Sequence, residues 1–227
     1  MERGERLYPK RSSRVYWHLT CLRQSLEDFL RNHLPPDIGD VLLDFGCGNM
    51  PYRPLFENRI SSYIGCDLPG NDIADQTIDD IYRLPFGDGS VDMVLSTQVL
   101  EHVREPLTYL HEARRVLKKD GYLLLSTHGV WSYHPDPFDF WRWTCEGLKT
   151  VITSAGYEVV AFRGIMGPAA TAMQLWQDAV QPSFPYRLRS LFVRIMQFLI
   201  EKADRRCPQA KRDADACVYL VLARCKK

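Results

Sequence analysis

Short apolar runs recur along the first two thirds of the chain, and polar or glycine residues follow each of them. These runs cover residues 41–45, 62–66, 91–96 and 121–127, with a weaker one at residues 73–78. Runs of this length and composition are typical of strands that a parallel sheet buries on both faces. The pattern therefore predicts five strands in this part of the chain.

Apolar residues at helical spacing mark the segments before and between these strands. Such positions recur through residues 15–30, ahead of Pro35 and Pro36, and helical sequence also covers residues 106–118. Strands that alternate with helices are typical of a doubly wound α/β sheet. Residues 1–13 are basic and polar, and we predict that they form a loose tail.

The last third of the chain has a different order of elements. The pattern predicts a helix at residues 145–155 and a strand at residues 156–162. Two helices are predicted at residues 170–180 and 185–204, and a terminal strand at residues 216–223. A chain of 227 residues can bury one large core, so we predict a single domain with one helical insertion.

Composition and charge narrow the classes of function. Apolar residues make up 45% of the chain, and 29 basic side chains stand against 28 acidic ones, a net charge of +1. This balance is ordinary for a soluble globular protein and gives no overall attraction to nucleic acid. The N-terminus lacks the apolar core of a secretion signal, and no apolar run is long enough to cross a bilayer. We therefore expect a cytoplasmic protein.

The seven cysteines give no sign of a disulfide framework or a metal centre. They include no pair with the C-x-x-C spacing of a structural zinc site, and their number is odd. We interpret them as small, partly buried thiols in a reducing compartment, and we predict no metal site.

A glycine turn after the first predicted strand is the strongest candidate for a ligand site. Residues 44–49 read Asp-Phe-Gly-Cys-Gly-Asn, and glycine at such a turn lets the backbone approach a ligand closely. A dinucleotide-binding turn would need a third glycine where Pro51 stands, and no phosphate-loop lysine follows. Asp67 ends the second strand, and Asp79 and Asp80 end the third. A carboxylate at the end of the second strand is suited to accept hydrogen bonds from a ribose diol.

These features resemble those of class I S-adenosylmethionine-dependent methyltransferases, in the group that acts on small molecules. The resemblance rests on five segments in the right order, residues 44–48, 64–67, 80–86, 90–103 and 115–122. One departure concerns residues 50–54, where many members carry a further glycine and this chain reads Met-Pro-Tyr-Arg-Pro.

The resemblance implies a Rossmann-like α/β fold with helices on both faces of a seven-stranded, mostly parallel sheet. The last strand is expected to run antiparallel beside residues 157–162. Residues 1–36 would form the tail and a cap helix, 40–163 the cofactor-binding core, 164–213 a helical insertion or lid, and 214–227 the terminal strand. The implied cofactor is S-adenosyl-L-methionine, with S-adenosyl-L-homocysteine as product. The expected cofactor-binding residues are Asp44, Gly46, Cys47, Gly48, Asn49, Asp67, Leu68, Asp80, Ile81 and Gln98.

Histidines follow the fourth and fifth strands, where an acceptor would bind. His128 comes directly after the fifth strand, and histidine titrates near neutral pH, which suits proton transfer. We predict His128 and His134 as catalytic residues. His102 stands in a place typical of the family, and we interpret it as a residue that orders the loop beneath the cofactor.

Residues 131–144 form the richest candidate for acceptor binding. They contain six aromatic side chains together with His134, two carboxylates and an arginine, a mixture typical of small-molecule pockets. We predict substrate contacts from Tyr133, Asp139 and Arg142. The alternative is that the aromatics belong to the core and that Asp139 and Arg142 form a structural ion pair. The pattern His-Pro-x-Pro-x-Asp-x-x-Arg-x-Thr resembles bacterial methyltransferases linked to polysaccharide or secondary-metabolite pathways.

The favoured reaction is O-methylation of a small molecule, such as a sugar or a polyketide. N- or C-methylation remains open, as does a non-catalytic protein that binds S-adenosylmethionine, whereas the glycine spacing disfavours a dinucleotide oxidoreductase. The apolar helix at residues 185–204 is interpreted as a lid, a dimer surface or an interfacial membrane helix. We expect a small-molecule acceptor as partner and a homodimer as an alternative, without nucleic acid or stable membrane insertion.

Overall fold

The computed structural model describes residues 3–226. Its strands are β1 (Gly39–Phe45), β2 (Ile60–Asp67), β3 (Gln76–Thr77), β4 (Val91–Thr97), β5 (Leu117–His128), β6 (Tyr157–Ile165) and β7 (Val218–Cys225). Its helices are α1 (Arg3–Leu7), α2 (Tyr16–Asn32), α3 (Pro106–Val116), α4 (Cys145–Ser154), α5 (Pro168–Val180), α6 (Tyr186–Arg205) and α7 (Gln209–Ala214). Short 3-10 turns lie at Arg53–Leu55, Leu100–His102 and Gln181–Ser183.

Within this range the strands form one seven-stranded sheet in the order β3-β2-β1-β4-β5-β7-β6. The strands from β3 to β5 run parallel, and β7 pairs antiparallel with both β5 and β6. The predicted mostly parallel sheet with an antiparallel last strand is therefore confirmed. The strand order reverses at β1, which lies between β2 and β4, and open α/β sheets bind ligands beyond the carboxyl ends of strands at such a point.

Helices cover both faces of the sheet, as predicted. Successive residues of a strand point to opposite faces, so Leu42 and Leu124 join one core while Leu43 and Leu125 join another. The first core includes Leu26 of α2, and the second packs against α3 and α4. Burial of one leucine stabilises a fold by about 1.5–3 kcal/mol, so these two layers hold the strand ends in fixed positions.

The first residues do not form the loose tail that the sequence predicts. α1 covers Arg3–Leu7, and Leu7 is only 3% exposed and belongs to the same core as Trp17. One buried leucine anchors this short helix, but a single apolar residue among charged ones gives no periodic pattern. Residues 1 and 2 of the predicted tail lie outside the described range.

Three buried glutamines connect the helical insertion to the start of α2. The amide nitrogen of Gln197 lies 2.8 Å from Oε1 of Gln177 and 3.0 Å from Oε1 of Gln174. Each of the three amides also donates to the carbonyl oxygen of Arg14. The oxygen of Gln197 accepts the backbone N–H of Trp17 at 2.8 Å, an N–H in the first turn of a helix that has no intrahelical partner. These contacts fix the approach of α2 to the sheet.

The outer face of α6 leaves apolar side chains in solvent. Leu191, Ile195 and Phe198 are each about half exposed, beside an exposed Trp176 on α5. Among residues 3–226, no helix has both the length and the apolar character that crossing a bilayer requires. The interpretation of this helix as a lid, a dimer surface or an interfacial helix stays a prediction.

Candidate active site

A cavity of about 870 Å³ opens at the carboxyl ends of β1, β2, β4 and β5. Its wall combines the turn after β1, the loops after β2 and β3, the segments after β4 and β5, and the start of α2. Small-molecule pockets commonly measure roughly 300–1,000 Å³. The cavity therefore has the size and the place that a ligand site needs in a sheet of this kind.

We call one side of this cavity the glycine wall. Eight of the ten predicted cofactor-binding residues belong to it, namely Gly46, Cys47, Gly48, Asp67, Leu68, Asp80, Ile81 and Gln98. The other two, Asp44 and Asn49, are not among the described residues that line the cavity. The wall thus brings together residues from the ends of β1, β2, β3 and β4.

The turn after β1 requires its glycines for two different reasons. Gly46 has a φ of +79°, and a Cβ atom there would stand 2.6 Å from Cγ2 of Val99. Gly48 has a φ of +51°, and a Cβ there would meet no described atom within 4 Å. Gly46 is therefore needed for close packing, whereas Gly48 presents bare backbone to the cavity. Met50 also takes a left-handed φ of +50°.

Asp67 connects the glycine turn to the loop after β2. Its Oδ2 atom accepts the backbone N–H of Gly48 and the side-chain amide of Asn71, each at 2.8 Å. Its Oδ1 atom accepts the N–H of Leu68 at 2.8 Å. Asn71 also donates to the carbonyl oxygen of Gly48 at 2.6 Å, a role that its loop sequence gave no sign of. The carboxylate is thus fixed in orientation at the cavity.

Asp80 and Gln98 complete the glycine wall. The Asp80 carboxylate accepts the N–H of Tyr82 at 2.8 Å, which closes a turn beside Ile81. Gln98 has a φ of +58°, and its amide lies 3.3 Å from Oγ of Ser126 on β5. The backbone turns sharply at the end of β4 and directs this side chain toward the cavity.

Asp44 lies beneath the glycine wall rather than on it. It is buried, its Oδ2 atom accepts the Tyr63 hydroxyl at 2.5 Å, and its Oδ1 atom has no hydrogen-bond partner among the described residues. Burial raises the pKa of Asp44 to about 7, although the Tyr63 hydrogen bond opposes that shift. Asp44 therefore titrates near neutral pH.

The opposite side of the cavity is the histidine wall, formed by His18, His102, His128 and His134 around Glu101. His128 stacks on Trp131 with ring centroids 5.0 Å apart and planes inclined by 9°, while His18 meets the same indole edge-on at 5.0 Å. The His134 ring lies 4.9 Å from that of His128 and 5.0 Å from that of His102. Four of the six histidines of the chain meet at this wall.

Burial controls the protonation of the histidine wall. It lowers the pKa of His18 to about 3, with a smaller contribution from the charges of Arg6 and Arg14. It also lowers the pKa of His128 well below its ordinary value and raises the pKa of Glu101. The buried imidazoles are consequently neutral at physiological pH.

Asp139 and Arg142 form an ion pair that supports His134. The guanidinium donates to both carboxylate oxygens at 2.6 Å, and the backbone N–H of His134 donates to Oδ2 of Asp139 at 2.9 Å. Burial alone would raise the pKa of Asp139, but the Arg142 hydrogen bonds lower it to about 2. None of Asp139, Arg142 and Tyr133 is among the described residues that line the cavity, and Tyr133 is 76% exposed. These contacts match the structural alternative, and the predicted substrate contacts stay a prediction.

Arg6, Arg14 and His18 line the cavity without having been predicted. They come from α1 and from the start of α2, far along the chain from the strand ends. The glutamine contacts described above fix the backbone at Arg14 and at the start of α2. A polar side chain on a helix carries no sequence signal for such a tertiary contact.

A family model described as a methyltransferase domain matches residues 43–125. A probable S-adenosylmethionine-dependent methyltransferase of Mycolicibacterium smegmatis is 26% identical over 184 residues, which are 74% of this chain and 70% of that protein. Further mycobacterial relatives, at 30–32% identity, are covered over only 34–44% of their own length.

Solved structures share the fold at low identity. An S-adenosylmethionine-dependent methyltransferase from Mesorhizobium loti has a TM-score of 0.56 and 17% identity, over 87% of this chain and 96% of that chain. A crystallised cyclase has a TM-score of 0.59 and 18% identity, over 90% of this chain and 82% of that chain. At these identities the likeness concerns the fold alone.

Proposed function

We propose that this chain is a class I S-adenosylmethionine-dependent methyltransferase and that it methylates a hydroxyl group of a small molecule. One observation carries the proposal: a single cavity joins the glycine wall to the histidine wall. A methyl donor on one wall and an acceptor on the other would share one chamber. Positioning two reactants in this way removes much of the entropic barrier to their reaction.

The glycine wall fits the cofactor. Gly48 leaves open space in front of its backbone, and Oδ1 of Asp67 accepts one hydrogen bond where a carboxylate oxygen can accept two. Asp67 would hold the ribose hydroxyls, and Asp80 with Ile81 would face the adenine. When bound, S-adenosylmethionine supplies a methyl group on a positively charged sulfur.

The histidine wall supplies what a hydroxyl acceptor needs. Methylation of a hydroxyl releases a proton, and a basic atom within hydrogen-bond reach of that hydroxyl speeds the step. His128 and His134 line the cavity and are the candidates for this role. Trp131 and Phe138 would hold the acceptor against the wall and exclude water from it.

The test follows a labelled methyl group from the donor to a panel of sugars, phenols and amines. We expect transfer to a hydroxyl acceptor, with turnover lowered about a hundredfold or more in His128→Gln or His134→Gln and cofactor affinity retained. His111→Gln is the matched control, since His111 is exposed on α3 outside the cavity. Transfer to amines alone would replace O-methylation by N-methylation.

A second candidate is a reaction or binding function without methyl transfer. The cyclase that shares this fold is the observation that favours it. The two functions differ in whether the donor is consumed: methyl transfer releases S-adenosylhomocysteine in proportion to product, and the alternative does not. The cytoplasmic location and the division of the chain into a core and a helical lid stay predictions. A homodimer stays an alternative to a single chain.

A further inference from the structure

Glu101 is buried at the centre of the histidine wall and lacks a full set of partners. Its side chain is inaccessible to solvent, and its Oε2 atom accepts the hydroxyl of Thr127 at 2.8 Å. Its Oε1 atom has no hydrogen-bond partner among residues 3–226, and Nε2 of His128 stands 3.5 Å away. Burial of a carboxylate without a full set of partners is unfavourable unless a proton or a positive charge neutralises it.

The backbone holds Glu101 firmly in this unfavourable position. Its carbonyl oxygen accepts the N–H of Phe140 at 2.8 Å and that of Trp141 at 3.2 Å. These two bonds attach the loop after β5 to the turn after β4. The backbone of Glu101 is therefore tied to the loop that carries His134, and the Thr127 hydroxyl holds its carboxylate.

The hydrogen bonds of His102 and His134 determine which nitrogen of each ring is free to bind a ligand. Nδ1 of His102 lies 2.5 Å from the carbonyl oxygen of Phe138, and Nδ1 of His134 lies 2.9 Å from that of Ser132. A carbonyl oxygen can only accept, which favours a proton on each Nδ1, while the Arg142 guanidinium also lies 3.3 Å from Nδ1 of His134. With this tautomer, Nε2 is the nitrogen of each ring that can bind an ion. Metal-binding histidines are oriented in this way, with the second ring nitrogen bonded to a carbonyl or a carboxylate.

Asp139 places a carboxylate behind the imidazole ring of His134. Its Oδ2 atom stands 3.4 Å from Nδ1 of His134, and its ion pair with Arg142 holds it there. A carboxylate behind the histidine is the arrangement that raises the basicity of a ligating imidazole. The supporting contacts of a metal site are thus present beside the candidate ligands.

The ligand atoms lie near enough to share one ion. One ligand atom from each of Glu101, His102 and His134 lies within 4.8 Å of the other two. Around a tetrahedral Zn²⁺ with bonds of about 2.1 Å, neighbouring ligand atoms are about 3.4 Å apart. His102 and His134 are half-buried side chains on loops, and small side-chain rotations would close this difference.

We propose that Glu101, His102 and His134 bind a divalent transition-metal ion of the Zn²⁺ or Fe²⁺ type. Two imidazoles and one carboxylate suit such ions, whereas Mg²⁺ and Ca²⁺ prefer ligand sets made of oxygen. Three protein ligands leave further coordination positions open, as in catalytic rather than structural sites. Because His102 and His134 line the cavity, the open positions face the chamber where an acceptor would bind.

The proposed ion goes beyond the methyl transfer proposed above and does not depend on the acceptor being a hydroxyl. Coordination of an acceptor oxygen would lower the pKa of its proton and fix its position. His134 would then serve as a ligand, and His128 would be the remaining imidazole near the acceptor. An ion at this site would also give a partner to Oε1 of Glu101, which has no hydrogen-bond partner among the described residues.

The experiment measures metal binding directly and without turnover. The full-length protein is freed of metal with a chelator, dialysed against Zn²⁺ and examined by elemental analysis, and Co²⁺ is then added to record visible absorption. We expect about one tightly held ion per chain and a Co²⁺ spectrum typical of nitrogen and oxygen ligands. Glu101→Gln and His134→Gln should each weaken Zn²⁺ binding at least tenfold. The matched control is the double variant of the exposed His33 and His111, H33Q/H111Q, which should bind as the parent does.

Two outcomes would overturn the inference. One is a parent protein that retains no more Zn²⁺ than His134→Gln does, and the other is unchanged binding in both ligand variants. If Glu101→Gln fails to fold, His134→Gln decides alone, because its side chain is partly exposed on a loop. Affinity for S-adenosylhomocysteine is measured on the same samples. A protein that binds S-adenosylhomocysteine but no metal ion would reject the metal site and leave the proposed methyl transfer intact.

Discussion

The two walls of the cavity differ in how the chain builds them. The glycine wall takes its residues from the ends of neighbouring strands. Each strand end contributes a short continuous segment, which offers mainly backbone groups and carboxylates to a ligand. The histidine wall collects side chains from α2, from the turn after β4 and from the loop after β5, and several of its buried polar atoms lack partners. Among the described residues, no lining residue of the first wall has a buried side-chain nitrogen or oxygen without a partner, whereas His18, Glu101 and His128 of the second do.

This difference corresponds to a division of labour. A common cofactor can be held by an arrangement that the sheet itself determines, since the strand ends are fixed by the core. An acceptor needs particular side chains, and these come from segments that insertions and loops can vary without changing the sheet. Unsatisfied buried groups are expected where a ligand completes the site.

The largest effect is expected from a change in the glycine wall itself. Gly46→Ala places a Cβ at a positive φ and 2.6 Å from Cγ2 of Val99, which should lower the free energy of unfolding by about 2–4 kcal/mol. Chemical denaturation measures this change. Gly87→Ala is the control, because its Cβ would meet no described atom within 4 Å. If both variants lost the same free energy of unfolding, the contact with Val99 would not explain the effect at Gly46.

Loss of the Asp67 carboxylate should affect the ligand more than the fold. Asp67→Ala removes a charged acceptor and should weaken S-adenosylhomocysteine binding by roughly 1.5–3 kcal/mol, about tenfold to a hundredfold. Competition binding measures the affinity, with Asp72→Ala as the control on the same loop. Equal affinity in the two variants would show that Asp67 does not hold the cofactor.

Behind the histidine wall, Asp139 is expected to stabilise a loop rather than to bind substrate. Asp139→Ala removes the charged partner of Arg142, which keeps its bonds to backbone carbonyls, and the acceptor of the His134 N–H; it should destabilise the fold by about 1–3 kcal/mol. The control, Glu146→Ala, breaks an exposed ion pair with Lys149 and should leave the stability nearly unchanged, because solvent screens such a pair. Unchanged stability in Asp139→Ala, together with a raised KM, would restore the predicted substrate contact.

A smaller effect concerns the pH dependence beneath the glycine wall. The pKa of Asp44 is raised to about 7 in the fold, so between its unfolded pKa and pH 7 the folded state binds the extra proton, and stability falls as pH rises. From pH 6 to pH 8 this should cost the parent protein about 1 kcal/mol relative to Asp44→Asn. Thermal denaturation of both proteins across that range measures it, and parallel profiles would contradict the raised pKa.

The sequence predicted the glycine wall far better than the histidine wall, for a physical reason. Strand-ending residues such as Asp67 and Asp80 need only the strand pattern to be placed at one edge of the sheet. The role of His18 depends on buried glutamines far away in the chain, and that of Glu101 on a loop that folds back across β4. Such contacts have no local pattern, although His128 and His134 could be chosen because they follow β5.

Elements of irregular structure show the same limit. The strands and long helices follow periodic patterns and were predicted within a few residues, but α1 and α7 are too short for a pattern to form. The ion pair between Asp139 and Arg142 was one of two open alternatives, because a spacing of three residues suits both a loop contact and a pair of ligand groups. The path of the backbone after β5 decides between these two alternatives.

The most direct test of the central claim is calorimetric titration of the parent protein with S-adenosylmethionine and with S-adenosylhomocysteine. We predict saturable binding of both at about one molecule per chain, with the affinity lowered in Asp67→Ala and retained in Asp72→Ala. No binding heat from either ligand across a range of temperatures, in a protein whose folding is verified, would contradict the assignment of the glycine wall to this cofactor.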